Sequence, residues 1–242
     1  MGASKIWVVG VGPGAPDLIT QRVASLIRSA DYVAGFHSTL GVIRHLVRGE
    51  AVELDYRNQD AVIQRIADLS KRGYSCVVCT FGDPNVSDSQ LVDRLFSAGV
   101  ETEIVPGISS VQVGCARLGL PFDASILVTF HKRGAIEEDK EELLELVLWG
   151  KRNIIVLPRP WDFMPSEIAM FLLSKHVEPS REIVVLQNMT LANESLFTCS
   201  LEELARIKET FSDLTILVIK AGLNGCNTGY GAVKFRGGVS LS

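Results

Sequence analysis

Ile6-Trp7-Val8-Val9-Gly10-Val11-Gly12-Pro13-Gly14 is an apolar, β-branched run that ends in a glycine-rich turn, and Asp17–Ser29 behind it carries apolar residues at helical spacing. A strand feeding such a turn and then a helix is the opening unit of a parallel α/β layer. The alternation continues outward from it. Strands are expected at Tyr32–Gly35, Cys76–Phe81, Thr102–Val105 and Ile126–Phe130, with helices at Asp60–Arg72, Ser87–Ala98 and Ser109–Leu118. Ser87 with Gln90 has the spacing of a capping box, and Gly73 and Gly99 stand where a left-handed residue closes a helix. The first half therefore reads as a mostly parallel sheet covered by helices.

A helix over Glu137–Trp149, with an acidic first turn that suits its dipole, follows the Lys132–Ala135 turn and marks the joint between domains. A second set comes after it: strand Asn153–Leu157, helix Ser166–Leu173, strand Glu182–Leu186, helix Leu201–Thr210 behind a Ser200/Glu203 capping box, and strand Leu214–Ile219. The expected organisation is an N-terminal α/β domain over residues 1–132, a C-terminal α/β domain over 133–222 and a Gly-rich tail over 223–242, with a final hairpin as the alternative for the tail. Two α/β lobes of this size are expected to leave a ligand cleft between them.

The 242 residues are 47% hydrophobic and 21% charged, with Lys+Arg 24 against Asp+Glu 28 and a net charge of −4, so a long polyanion is not an expected partner. No run approaches the ~20 apolar residues of a membrane span, and the N-terminus enters a strand without a cleavable signal pattern. A cytoplasmic protein binding neither membrane nor nucleic acid is expected. Cys76 and Cys79 form the one close cysteine pair, on opposite faces of a strand, and no second pair completes a metal site, so no metal is expected.

Three turns can carry chemistry. Gly10-Val11-Gly12-Pro13-Gly14 lacks the third glycine of a dinucleotide fingerprint, and Pro13 interrupts the run of amides that a phosphate loop needs. It is either a tight turn or a ligand-facing loop. Phe81-Gly82-Asp83-Pro84-Asn85-Val86 ends a strand at the carboxyl edge of the sheet, where Gly82 permits close approach and Asp83 offers a carboxylate to ribose hydroxyls or a cation. Pro106-Gly107-Ile108-Ser109-Ser110 opens a helix, and its two hydroxyls can cap amides or bond a ligand.

Taken in order, Gly-x-Gly-Pro-Gly with Asp17, Leu18 and Thr20, then Ser29-Ala30-Asp31, Gly82-Asp83-Pro84 and Val105-Pro106-Gly107-Ile108-Ser109-Ser110 resemble the tetrapyrrole methylases over residues 5–220. Those enzymes transfer methyl groups from S-adenosylmethionine to ring carbons of corrinoid and sirohaem precursors. Val111-Gln112-Val113, Ala116–Pro121, Thr129-Phe130-His131 with Arg133-Gly134, and Gln187-Asn188-Met189-Thr190 with Glu194 are most similar to members that methylate C5 of precorrin-7 or its cobalt form in cobalamin biosynthesis. After Gly82-Asp83-Pro84, where many members carry an aromatic and a glycine, this chain has Asn85-Val86-Ser87-Asp88.

The resemblance implies a class III methyltransferase: a homodimer of two-lobed α/β chains, with S-adenosylmethionine folded into the cleft. It also implies a tetrapyrrole substrate and functional coupling to a C15-methyltransferase/decarboxylase. By motif, Gly82, Asp83, Val86, Ser109 and Ser110 would touch the cofactor from the first lobe, and Leu157, Asn188 and Met189 from the second. Pro13, Gly14 and Arg133 would border the tetrapyrrole, with Lys132, Arg117 and Arg159 as further cations for its carboxylates. Positioning should dominate the reaction, with Asp83 and His131 as candidate bases for a later proton removal. The competing readings are another tetrapyrrole methylation, methylation of a protein or RNA on the same fold, and a non-catalytic nucleotide-binding module.

Overall fold

The computed structural model describes residues 5–222; the expected tail over 223–242 lies outside the described residues. By its internal contacts the chain forms two compact units. Of the described residues, one unit holds those up to Ser110 together with Asn188–Asn193, and the other holds Val111–Gln187 with those from Glu194 to Gly222.

The first unit is built on five parallel strands in the order β3-β2-β4-β1-β5: β1 Ile6–Gly10, β2 Tyr32–Phe36, β3 Glu50–Leu54, β4 Cys76–Thr80 and β5 Thr102–Val105. The central strands β1 and β4 are covered on both faces and so read as continuous apolar runs. In β4, Cys76 and Val78 face a core made with α3 (Gln59–Lys71) and α5 (Ser89–Ser97), while Val77 and Cys79 face one made with α1 (Gln21–Ser29) and α2 (His37–Ile43). The two cysteines therefore sit on opposite faces, as the strand period requires. The helix after β1 lies on one face and the helix after β4 on the other. Their strands are neighbours, so the crevice at their carboxyl ends is where an open α/β sheet gathers ligand contacts.

The second unit is a mixed sheet in the order β6-β7-β10-β8-β9: β6 Ser125–Thr129, β7 Asn153–Leu157, β8 Glu182–Gln187, β9 Ser195–Ser200 and β10 Thr215–Ile219. Only β6 and β7 run parallel; the other three pairings are antiparallel. One face packs Phe130, Leu143, Ile168, Leu172, Leu201 and Leu204 into a single core. These come in part from α7 (Glu137–Trp149), α8 (Pro165–Ser174) and α9 (Leu201–Arg206). On the other face, α6 (Ser110–Leu118) places Gly114, where an added Cβ would lie 3.4 Å from Leu186 Cδ2 and 3.9 Å from Ile216 Cδ1. That packing draws α6 into the second unit, so the contact division falls between Ser110 and Val111, whereas the sequence reading places its boundary at 132/133.

Several local expectations are met. Gly73 and Gly99 have φ of 91° and 69°, and Ser200 and Glu203 form a reciprocal capping box ahead of α9. Others need correction. Helix α9 ends at Arg206 instead of Thr210, because Ile207 turns extended to pack on the core. Ser166 Oγ then donates to the Leu204 carbonyl, which also accepts from Ile207 N–H, and to the Ile207 carbonyl. Helix α5 starts at Ser89 with Asp88 as its N-cap, later than the Ser87/Gln90 spacing places it, since Pro84–Ser87 forms a turn of its own, α4; the Ser87 side chain lies outside the described atoms. Strands β3 and β9 and helix α2 were not expected at all. Among the described residues no helix is long and apolar enough to cross a membrane.

Candidate functional site

Three turns meet at the carboxyl edge of the first sheet. The β1 turn folds back so that Gly12 N–H donates to Gly82 O at 3.2 Å and Gly82 N–H to Gly12 O at 2.8 Å, a short antiparallel bridge. Gly107 closes the third side. An added Cβ there would stand 2.3 Å from Gly82 O and 2.4 Å from Gly10 O, so three strand ends approach to a separation that only glycine allows. Gly82 itself has φ 71°, and a Cβ on it would fall 3.6 Å from Ser109 Cα and 3.7 Å from Ser110 N, in space that the glycine leaves vacant.

Asp83 caps α4. Its Oδ1 accepts from Asn85 N–H and from Asn85 Nδ2, both at 2.8 Å, with Pro84 at the first helical position. These bonds fix the carboxylate and leave Oδ2 outside them. Five residues on, the pKa of Asp88 is pushed up to about 7, first because burial disfavours its charge and second because Asp83 is nearby. No motif signalled Asp88. The only trace in the sequence is a second acid following Asp83.

The segment Asn188–Asn193 packs on the first unit and covers the Pro13–Gly14 turn, both of whose residues are buried. Thr190 Oγ1 accepts from Ala15 N–H at 2.9 Å, and Leu191 Cδ2 would lie 2.4 Å from a Cβ on Gly14, whose φ is 132°. Asn188 and Thr190 have φ of 54° and 68°. Asparagine tolerates this region, whereas a β-branched residue there is strained by about 1–3 kcal/mol and needs its surroundings to hold it. The contacts of Thr190 and Leu191 with this turn were not foreseen, because nothing local marks a contact made 175 residues away.

Pro13, Gly14, Gly82, Asp83, Val86, Ser109, Ser110, Asn188 and Met189 thus belong to the first unit, so Asn188 and Met189 come with it and not with the second lobe, where they were expected. Ser109 and Met189 are buried. Leu157, His131 and Arg133 belong to the second unit. Leu157 is the buried last residue of β7. His131 bonds the Pro158 carbonyl, and its Nε2 is buried with no hydrogen-bond partner. Burial lowers the pKa of His131 more than that bond raises it. Of the expected cations, Arg159 is not a surface charge: it is 7% exposed, holds Asp162 with Nε at 2.5 Å and Nη2 at 2.7 Å, and donates Nη1 to Gly134 O. Lys132 pairs with Asp139 at 2.5 Å and Arg117 with Glu194 at 3.5 Å. Arg133 is exposed.

The sequence pattern of the tetrapyrrole (corrin/porphyrin) methylases matches residues 5–205. A probable cobalt-precorrin-7 C(5)-methyltransferase of Methanocaldococcus jannaschii is 30% identical over 227 residues, covering 88% of this chain and 96% of that one. Among solved structures, a precorrin-6Y methylase of cobalamin biosynthesis from Archaeoglobus fulgidus superposes with a TM-score of 0.68 at 26% identity, covering 90% of this chain and 99% of the other. A uroporphyrin-III C-methyl transferase from Thermus thermophilus complexed with S-adenosyl homocysteine gives 0.69 at 21% identity, covering 90% and 97%.

Proposed function

The chain belongs to the tetrapyrrole (corrin/porphyrin) methylases and is a methyltransferase; from that premise we propose that it methylates a corrinoid precursor, C5 of precorrin-7 or its cobalt form, with S-adenosylmethionine as donor. The observation that carries the substrate class is the similarity to the Methanocaldococcus jannaschii protein along 96% of its length. For the donor, the support is the Gly10–Gly82–Gly107 junction, which brings the Gly82 turn against Ser109 and Ser110, together with the Asn85 bonds that hold Asp83 through Oδ1.

S-adenosylmethionine supplies a sulfonium methyl that a nucleophilic ring carbon takes up directly. The chain's part is orientation, which can be worth about 7–11 kcal/mol when the reacting atoms are aligned. In this reading Gly82, Val86 and the Ser109–Ser110 turn shape the donor site with backbone and hydroxyls, Leu157, Asn188 and Met189 complete it, and Asp83 faces a ribose or the cationic end. Pro13, Gly14 and Arg133 border the tetrapyrrole. His131 is the proton acceptor of choice: its Nε2 has no partner and burial favours the neutral ring. The reading includes a homodimer in the cytoplasm, working beside a C15-methyltransferase/decarboxylase.

Incubation with radiolabelled S-adenosylmethionine and a series of corrinoid and uroporphyrinoid acceptors tests it. Label at C5 of precorrin-7 or its cobalt form is expected. Label only on uroporphyrinogen, on protein or on RNA assigns another substrate, and none at all overturns methyl transfer.

Asp83→Asn should weaken donor binding roughly ten- to hundredfold, as loss of a charged hydrogen bond implies, with little dependence on pH. Calorimetry with S-adenosylhomocysteine and S-adenosylmethionine measures it. Unchanged affinity together with a lost ascending limb of the pH–rate profile would make Asp83 the base instead. Replacing Ser109 and Ser110 together by Ala should cost about 1 kcal/mol of donor binding per missing hydrogen bond. A lower Tm with intact affinity would reduce both to caps.

A further inference from the structure

The segment Asn188–Asn193 presents two things at once. Asn188 and Met189, assigned to the donor in the reading above, begin it, and Thr190 and Leu191 follow directly and rest on the Pro13–Gly14 turn assigned to the tetrapyrrole. The hold on that turn is specific. Ala15 precedes the short 3-10 helix Pro16–Leu18 and has no side chain to cap it, and its own N–H is served by Thr190 Oγ1 at 2.9 Å. Leu191 leaves no room over Gly14, and its N–H donates to Asn188 O at 2.9 Å, closing the segment into one tight turn. A β-branched residue keeps φ 68° only where such contacts over-determine it. The strained residue and the long-range bond are the same residue.

We propose that Thr190 is a positioning residue that ties the donor-contacting turn Asn188–Met189 to the substrate-bordering turn Pro13–Gly14, so that occupancy of either ligand site strengthens the other. This rests on the assignment of those two turns to the two ligands. A ligand that orders the strained Thr190 strut lowers the cost of ordering it for the second ligand, and a coupling free energy of this kind acts equally in both directions. Thr190 touches no reacting atom; it acts through Ala15 and Gly14.

Two variants separate the hydroxyl from the shape. Thr190→Val keeps the branch and removes the acceptor, while Thr190→Ser keeps the acceptor with less strain. In Thr190→Val the tetrapyrrole KM should rise about five- to tenfold, the change in equilibrium that one lost hydrogen bond produces. The Kd of S-adenosylhomocysteine alone should stay within about twofold, and its tightening in the presence of corrinoid should disappear. Thr190→Ser should restore KM and coupling. Hydrogen exchange at the Ala15 amide reads the strut without any ligand: faster in Thr190→Val, protected in Thr190→Ser. An unchanged Ala15 exchange rate in the Val variant overturns the strut. An unchanged KM, or a fall in S-adenosylhomocysteine affinity as large as the rise in KM, overturns the coupling while wild-type methyl transfer leaves the functional reading standing. If the wild type transfers no methyl group to any tetrapyrrole, that reading fails and the coupling fails with it.

Discussion

Gly107→Ala is expected to cost more than about 4 kcal/mol of stability, a size reached by few single substitutions. The new methyl would stand 2.3 Å from Gly82 O and 2.4 Å from Gly10 O, and both are backbone atoms at the ends of β4 and β1. No rotamer change relieves this. The strand ends must part, and the reciprocal Gly12–Gly82 bonds at 3.2 and 2.8 Å go with them. Since whole domains are stable by only about 5–15 kcal/mol, the midpoint in urea should collapse. Gly41→Ala is the counterpart: it lies within α2 with nothing within 4 Å of an added Cβ, and should stabilise by about 0.5–1 kcal/mol. Equal midpoints for the two variants would refute the close-approach argument.

The second large effect concerns pH. Burial and the Asp83 charge raise Asp88 from 3.8 to about 7, so across that window the folded chain holds a proton that the unfolded chain releases. The contribution of Asp88 to stability is therefore greatest at the acid end, falls as pH rises toward 7 and is flat above it. At 1.36 kcal/mol per unit the loss is about 4 kcal/mol. His131 works in the opposite sense near its ordinary 6.5, because burial lowers its pKa and stability rises as it loses its proton. The difference between wild type and Asp88→Asn isolates the carboxylate. The variant should match wild type near pH 4 and exceed it by that amount near pH 8, judged from urea midpoints at both. A constant difference across the range would show that Asp88 titrates as an ordinary surface acid.

What could be read without coordinates follows burial. Strands β1 and β4 are covered on both faces, so they stand out as unbroken apolar runs; α7 matches the expected Glu137–Trp149, its acidic first turn at one end and Gly150, φ 65°, at the other. Edge strands lack that signature. Glu50-Ala51-Val52-Glu53-Leu54 buries only Val52 and Leu54, and Ser195–Ser200 buries none, so neither resembled a strand. Helix α2 is short, with a central glycine and two hydroxyl residues that weaken its helical pattern. At the candidate site, turns made by neighbouring residues were legible: Gly82 with Asp83, and Gly107 with Ser109. Features made by distant ones were not. The covering of Gly14 by Leu191 and the bond from Ala15 to Thr190 depend on where the chain returns, which no local pattern encodes.

That return also sets a schedule for synthesis. Ala15 and Thr190 are separated by 175 residues. At roughly 5–20 residues per second, about 9–35 s pass between the moments when the two leave the ribosome's catalytic centre. During that interval all five strands of the first sheet have been made, yet the Pro13–Gly14 turn has no cover. A nascent chain can thus assemble its parallel sheet early, but its glycine-rich turn is completed only after three of the five strands of the second sheet, β6 to β8, have been translated, making this corner of the molecule one of the last to mature.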